Sequence, residues 1–207
     1  MWGAGGEGLK AQALQGGYNI LFILTDQERY FPTYPSGSRY AARERLKSIG
    51  TTFEKHYICS SISTPSRSVI LTGKHIPDTK MFELTNQLYQ ASMNPDLPTV
   101  GDRMRSLGYY TAYKGKLHLL DSVRGSDPPQ QQDALEPYGF SDWNPQGDIW
   151  GQPGEGYTAD PGIAGDAVGW LRSTGTQVNA AGQPFFLVVG LVNPHDIAYF
   201  NTDLPGV

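Results

Sequence analysis

An α/β fold, with helices on both faces of a mainly parallel mixed sheet, is what this sequence predicts, on three observations. Tyr18 to Leu24 and Pro184 to Val192 are continuous apolar runs rather than alternating ones, the pattern of strands buried on both faces. Both runs end in polar residues, Thr25-Asp26-Gln27 and Asn193-Pro194-His195-Asp196, and the C-terminal edge of an open parallel sheet is where ligands bind. Between them, helical and strand-like patterns alternate, the order expected of parallel strands joined by crossover helices.

The elements follow in chain order. Residues 1–18 are rich in Gly and Ala and are expected to form a flexible extension; residues 19–207 form the folded part. After the first strand, Tyr40 to Ile49 reads as a helix, with Ala41, Ala42, Leu46 and Ile49 as its inward stripe and Gly50 as its stop. Phe53 to Ile58 reads as a short strand feeding the segment Ser63-Thr64-Pro65-Ser66-Arg67, after which Ser66 to Leu71 is expected to be helical. Leu97 to Leu107 is a helix with Pro98 near its start and Gly108 as its stop, and Tyr109 to Tyr113 is the next strand. Residues 121–160 form an irregular, loop-rich insert full of Pro, Gly, Gln, Asp and Trp. Trp143, Trp150 and Tyr157 are its candidate pocket walls or local packing anchors. A helical pattern resumes at Ala164 to Arg172, with Asp160-Pro161 as its expected cap.

Composition excludes several classes. Sixteen basic against 20 acidic side chains give a formal net charge of -4, and no Lys/Arg run supports nucleic-acid binding. Cys59 is the sole cysteine, which excludes an internal disulfide and a thiolate zinc cluster; it is expected to be a small buried residue near the site. No signal peptide is read in the first 18 residues, and no apolar stretch is long enough for a membrane span. A cytoplasmic protein is the expectation.

Chemistry concentrates at four places. Ser63, Pro65 and Arg67 place a hydroxyl, a restricted backbone and a cation together, and a helix opening there would aim free amides at an anion. A Ser/Pro turn starting an ordinary helix is the alternative. Asp26 follows the first strand, where a carboxylate serves as a ligand for a hard cation or as a cap. Lys116 and His118 have the i, i+2 spacing that puts two side chains on one side of an extended segment. The lysine offers a point charge to an anion and the histidine a donor or proton carrier. His195 ends the second apolar run. His56 reads as a strand residue and His75 as a cap or rim donor.

Three of these segments together resemble the type I sulfatases of the alkaline-phosphatase-like superfamily. The family's Cys/Ser-x-Pro-x-Arg signature with a helix ending near Thr-Gly matches Ser63 to Gly73. Its Gly-Tyr-x-Thr and Gly-Lys-x-His segments match Gly108 to Thr111 and Gly115 to His118, and its Pro-His segment matches Pro194-His195. Ile197 stands where a second proline is usual. Gln27 follows Asp26 where the family often has an Asp pair, a form that resembles the choline-sulfatase and phosphonate-monoester-hydrolase branches.

The resemblance implies an alkaline-phosphatase-like fold, incomplete at its C-terminus because relatives are longer. It also implies hydrolysis of small sulfate monoesters through a formylglycine derived from Ser63. Arg67, Lys116, His118 and His195 would be the other catalytic residues. Asp26, Gln27 and residue 63 would be ligands of a divalent metal, with calcium ahead of magnesium or manganese. A missing C-terminal segment or a second chain would complete the site, and neither nucleic acid nor a membrane is expected as a partner. Hydrolysis of phosphomonoesters, phosphodiesters or phosphonates is the alternative enzyme, and a truncated, catalytically silent anion- or partner-binding protein the alternative class.

Overall fold

The computed structural model describes residues 17–34, 36–37, 40–121, 132–144 and 147–199; most of the expected N-terminal extension lies outside them. Three strands, β1 (Ile20–Leu24), β2 (Tyr110–Gly115) and β3 (Phe185–Gly190), pair in parallel in the order β1-β3-β2. This is the α/β arrangement that the apolar runs predict. The register places both Leu24 and Gly115 opposite Gly190, so all three strands end at one level.

Centre and edge strands differ in burial. Every residue of β3 is buried, as a continuous apolar run between two neighbours requires. Each such side chain contributes roughly 1.5–3 kcal/mol over its exposed state. By contrast β1 is an edge strand, and Ile20, Leu21 and Ile23 are exposed rather than buried as the same pattern predicts. Periodicity reports apolarity, and it does not distinguish the middle of a sheet from its edge.

Side chains alternate across the sheet. Phe186 and Val188 join Tyr113, Leu71 and Phe140 on one face, with Val100 and Met104 packed against them. Phe185, Leu187 and Val189 join Ala112, Ile163, Ala167 and Trp170 on the other. The described helices are α1 (Ala41–Ile49), α2 (Ser63–Thr72), α3 (Ile76–Thr79), α4 (Val100–Ser106), α5 (Glu155–Trp170) and α6 (Thr176–Ala180), the last two joined by a π-helical turn, Leu171–Gly175; α2, α4, α5 and α6 supply side chains to these clusters.

Several boundaries have readable causes. In α4, Thr99 accepts from the Asp102 amide while Asp102 accepts from the Thr99 amide. This reciprocal capping starts the helix three residues after the expected Leu97. α5 begins at Glu155, well before the expected Ala164, and Pro161 lies inside it. Asp160 is therefore not a cap: its carboxylate accepts from the Val192 and Asn193 amides beyond β3. The stripe of α1 is not covered by the described residues, since Leu46 and Ile49 are exposed, and Phe53 to Ile58 is an exposed irregular segment rather than a strand. Among the described residues no helix is long and apolar enough to cross a membrane.

Candidate active site

The level ends of the strands bring distant residues together. Asp26 follows β1, Lys116 follows β2, and His195 follows β3 by five positions. Their loops are tied by Leu191 N donating to Leu24 O at 2.8 Å and Asp26 N to Asn193 O at 3.4 Å.

α2 supplies the hydroxyl and the guanidinium. Ser63 is the first helical residue, so the helix opens earlier than expected, and Pro65 falls in the first turn, where no intrahelical N–H partner is needed. Ser63 and Arg67 meet because they are i and i+4 on one helix face, rather than through an extended Thr64. Gly73, in the left-handed region, ends the helix by donating to Val69 O. Arg67 is buried and reaches three groups: its Nε donates to Ser63 Oγ at 3.2 Å, Nη1 donates to Lys116 O at 2.8 Å, and Nη2 lies 3.6 Å from Asp26 Oδ2.

Lys116 has no solvent exposure; its Nζ is ion-paired with Asp26 and donates to Trp150 O at 2.9 Å. Burial pulls the ammonium below its ordinary pKa, against the attraction of Asp26. Burial also pushes the Asp26 carboxyl up, but Arg67 and Lys116 outweigh it and hold Asp26 below the usual carboxylate value. The predicted strand-like extension through 116–118 is absent: β2 stops at Gly115 with φ 87°, and His118 has φ 58°. The two side chains still converge, because the left-handed backbone at Gly115 and His118 redirects the segment after β2 at the same end of the sheet.

His118 is buried, stacked on Trp150 at 5.8 Å with 14° between the rings, and neither ring nitrogen has a hydrogen-bond partner among the described residues. Burial, with Lys116 and Arg67 nearby, lowers its pKa to about 3. His195 Nδ1 is likewise buried without a partner among the described residues, and burial and Lys116 lower this pKa too. A cavity of about 200 Å³ gathers Ser63, His118, Trp150 and His195 on its walls. It is small enough for a tetrahedral anion with part of a leaving group, and its imidazoles are neutral at physiological pH.

Asp148 is a site residue that sequence reasoning missed. Its carboxylate accepts from the amides of Leu117 at 2.9 Å and His118 at 2.6 Å. Burial pushes its pKa up to about 6 against those amides. Of the insert aromatics, Trp150 lines the cavity. Trp143 is buried, donating to Gly115 O at 3.0 Å, and Tyr157 is exposed. Cys59 is exposed rather than buried, because the segment before α2 runs over the surface. His56 and His75 are exposed outside the site, and the Lys74 side chain makes no hydrogen bond or ion pair among the described residues.

The donor set for a divalent cation is incomplete here. Among the described residues no three His, Cys, Asp or Glu side chains come together as a metal-binding group. Asp26 is the single carboxylate of the expected set, two cationic side chains face it, and Gln27 is exposed with φ 58°. A hard cation takes six or more oxygens, so these residues do not make a cage by themselves.

Comparison with known proteins places this geometry in a family. The sulfatase family profile matches residues 18–207. The chain is 30% identical over 142 residues to a choline-sulfatase of Rhizobium meliloti, covering 66% of this chain and 26% of that protein. It is 29% identical over 195 residues to an ulvan-active sulfatase of Formosa agariphila, covering 86% and 35%. A solved 2-O GAG sulfatase superposes with a TM-score of 0.64 at 21% identity, over 91% of this chain and 39% of that one. The chain thus spans roughly a quarter to a third of the length of these curated relatives. With the family profile matching from just before β1 to the last residue, this chain belongs to the sulfatase family, with its alkaline-phosphatase-like α/β fold.

Proposed function

We propose that residues 19–207 are the N-terminal part of a sulfatase catalytic domain, and that the complete protein hydrolyses small sulfate monoesters through a formylglycine derived from Ser63. The observation that carries this reading is the shared cavity: Ser63, held by Arg67, faces the same 200 Å³ space as the buried imidazole of His118 and the half-buried one of His195. Residue 63 is half-buried, and loss of two hydrogens from its Cβ hydroxyl to a separate oxidising enzyme of the host would leave oxygen where Arg67 Nε already donates. The formylglycine would supply a hydrated aldehyde: one hydroxyl attacks sulfur as the ester bond to the alcohol breaks and the alcohol leaves, and loss of the proton from the other hydroxyl restores the aldehyde as the carbon–oxygen bond to sulfate breaks.

The chain's own residues supply charge and proton handling. Arg67 orients the oxygen at position 63 and adds fixed positive charge beside the sulfuryl group. Lys116, wedged between Asp26 and the Trp150 carbonyl, adds a second charge without needing to reorganise. His118, neutral at physiological pH, is suited to take a proton from the hydroxyl at 63, and the Lys116 ammonium, or His195 once it has itself taken up a proton, to protonate the leaving oxygen. Asp26, with Gln27 as the variant second position, would give a divalent cation, calcium ahead of magnesium or manganese, one carboxylate. The remaining ligands would come from a C-terminal segment or a second chain, and no chemical step here depends on that ion.

Mass spectrometry of the protein from its native host tests the reading. Loss of two hydrogens in the peptide containing Ser63, together with a longer chain or a second polypeptide, is the expected result. An unmodified serine in an active longer protein would shift the assignment to phosphate or phosphonate esters. An unmodified serine in a 207-residue chain without turnover would leave a silent anion-binding relative.

A further inference from the structure

Asp148 lies outside the proposed machinery, yet its contacts converge on it. The carboxylate is 3% exposed, and among the described residues no lysine or arginine pairs with it. Instead it accepts three backbone amides: His118 N at 2.6 Å on Oδ2, with Leu117 N and Ile149 N, each at 2.9 Å, on Oδ1.

The irregular segment 116–118 explains why those amides matter. Lys116 N donates to Gly190 O at 2.8 Å. Lys116 O accepts from Arg67 Nη1 and from the Tyr113 hydroxyl, both at 2.8 Å, and His118 O accepts from Thr64 Oγ1 at 2.7 Å. The Leu117 and His118 amides are the remaining backbone donors of this buried segment, and Asp148 takes both. The His118 ring nitrogens have no partner among the described residues, so its direction is set by the backbone and by its stacking on Trp150. Trp150 lies two residues beyond Asp148, on the segment whose first amide, that of Ile149, the same carboxylate holds. One side chain therefore fixes both the histidine's backbone and the start of the segment that supplies its stacking partner and the carbonyl that receives Lys116 Nζ. An asparagine would turn an NH2 toward one of these N–H groups, so both positions call for acceptor-only oxygens.

We propose that Asp148 is a positioning residue that sets the orientation of His118 and Lys116 toward the group at position 63 by gripping the backbone on both sides of the His118 ring. This rests on the reading in which His118 and Lys116 act on an ester bound beside Ser63.

The test uses the complete protein, with 4-nitrophenyl sulfate as substrate and the His118 ring proton, identified by its loss in His118→Gln, followed by NMR. Asp148→Asn is expected to lower kcat by about 10²-fold, the scale of a misplacement near 1 Å, with KM within about threefold and the His118 signal displaced. A lowered Tm with kcat and the His118 signal both unchanged would overturn the proposal, reducing Asp148 to a loop staple. Should wild-type protein show no sulfate-ester turnover, the functional reading fails and the NMR arm still decides: a displaced signal supports positioning, and an unmoved one refutes it. If Asp148→Asn does not fold, Asp148→Glu keeps both acceptor oxygens one methylene out of place. A folded Asp148→Glu with reduced kcat and a shifted signal supports the proposal, and wild-type values for both overturn it.

Discussion

Asp160 and Asp196 each hold the backbone of the segment that carries the other. Asp160, on α5, accepts from the Val192 and Asn193 amides at 2.7 and 2.9 Å, while Asp196 accepts from the Gly156 and Tyr157 amides of α5 at 3.1 and 2.9 Å. The loop carrying His195 is thus tied to the helix from both sides, and Asn193 fills the space beside Gly156, where a Cβ would lie 2.7 Å from its amide oxygen. Asp160→Ala leaves two amides without their acceptor, and unsatisfied buried donors cost about 1–3 kcal/mol. Urea unfolding of that variant is expected to show a loss of this size; an unchanged midpoint would mean that water replaces the carboxylate freely.

Lys116 sits between opposite demands, burial on one side and Asp26 on the other. Lys116→Ala leaves Asp26 facing Arg67 alone at 3.6 Å. Breaking one partner of a buried pair costs about 3–5 kcal/mol, with Arg67 offsetting part of it. In the complete protein, turnover is expected to fall by roughly 10² or more if the ammonium stabilises developing charge. Steady-state kinetics on a sulfate ester would show this, and a near-wild-type kcat would remove Lys116 from the catalytic set.

What the sequence revealed about this site follows from how each residue acts. Asp26 and His195 were legible because apolar runs mark strand ends, and level strand ends gather whatever follows them; Lys116 stands out by its i, i+2 spacing to His118, although the extended strand which that spacing assumes stops at Gly115. Ser63 and Arg67 stand out by their places on either side of Pro65, but their i, i+4 relation on one helix face was not legible, because the sequence predicts a helix opening only at Ser66. Asp148 was not legible, since it acts through backbone amides 30 and 31 residues away and carries no spacing signal. Asp160-Pro161 resembled a helix cap because the same carboxylate chemistry serves a local amide or a distant one. The exposure of β1 and of the α1 stripe was equally hidden, because an apolar residue on an uncovered surface has the same hydropathy as one in a core.

A pH dependence follows from His118. Its folded-state pKa is about 3 against an ordinary 6.5, so between these values the unfolded chain binds the extra proton, and stability falls as pH falls. At pH 4.5 this histidine alone costs about 2–3 kcal/mol relative to pH 8, at 1.36 kcal/mol per unit. Asp148, raised to about 6 from 3.8, acts in the opposite sense over its own window, so the two are separated by comparing variants. His118→Gln is expected to gain stability on wild type by that amount between pH 8 and pH 4.5 in denaturant titrations. A gap that does not change with pH would place the imidazole in contact with water.

Gly151 is where the backbone itself shapes the cavity. Its φ of 87° lies in the left-handed region, and an added Cβ would stand 2.9 Å from His195 Nδ1 and 3.1 Å from Lys116 Nζ. Its carbonyl accepts from the Tyr199 hydroxyl at 2.9 Å and its amide donates to Glu155 at 2.7 Å, so the segment has little freedom to retreat. Gly151→Ala therefore pays the left-handed penalty of about 1–2 kcal/mol and pushes on the imidazole or the ammonium. Turnover of the complete protein is expected to fall about tenfold or more, since small displacements of positioned groups are costly, while thermal unfolding shows only the modest backbone loss. Wild-type turnover in a folded Gly151→Ala protein would show that His195 and Lys116 yield without consequence, and would argue against their placement beside the reacting ester.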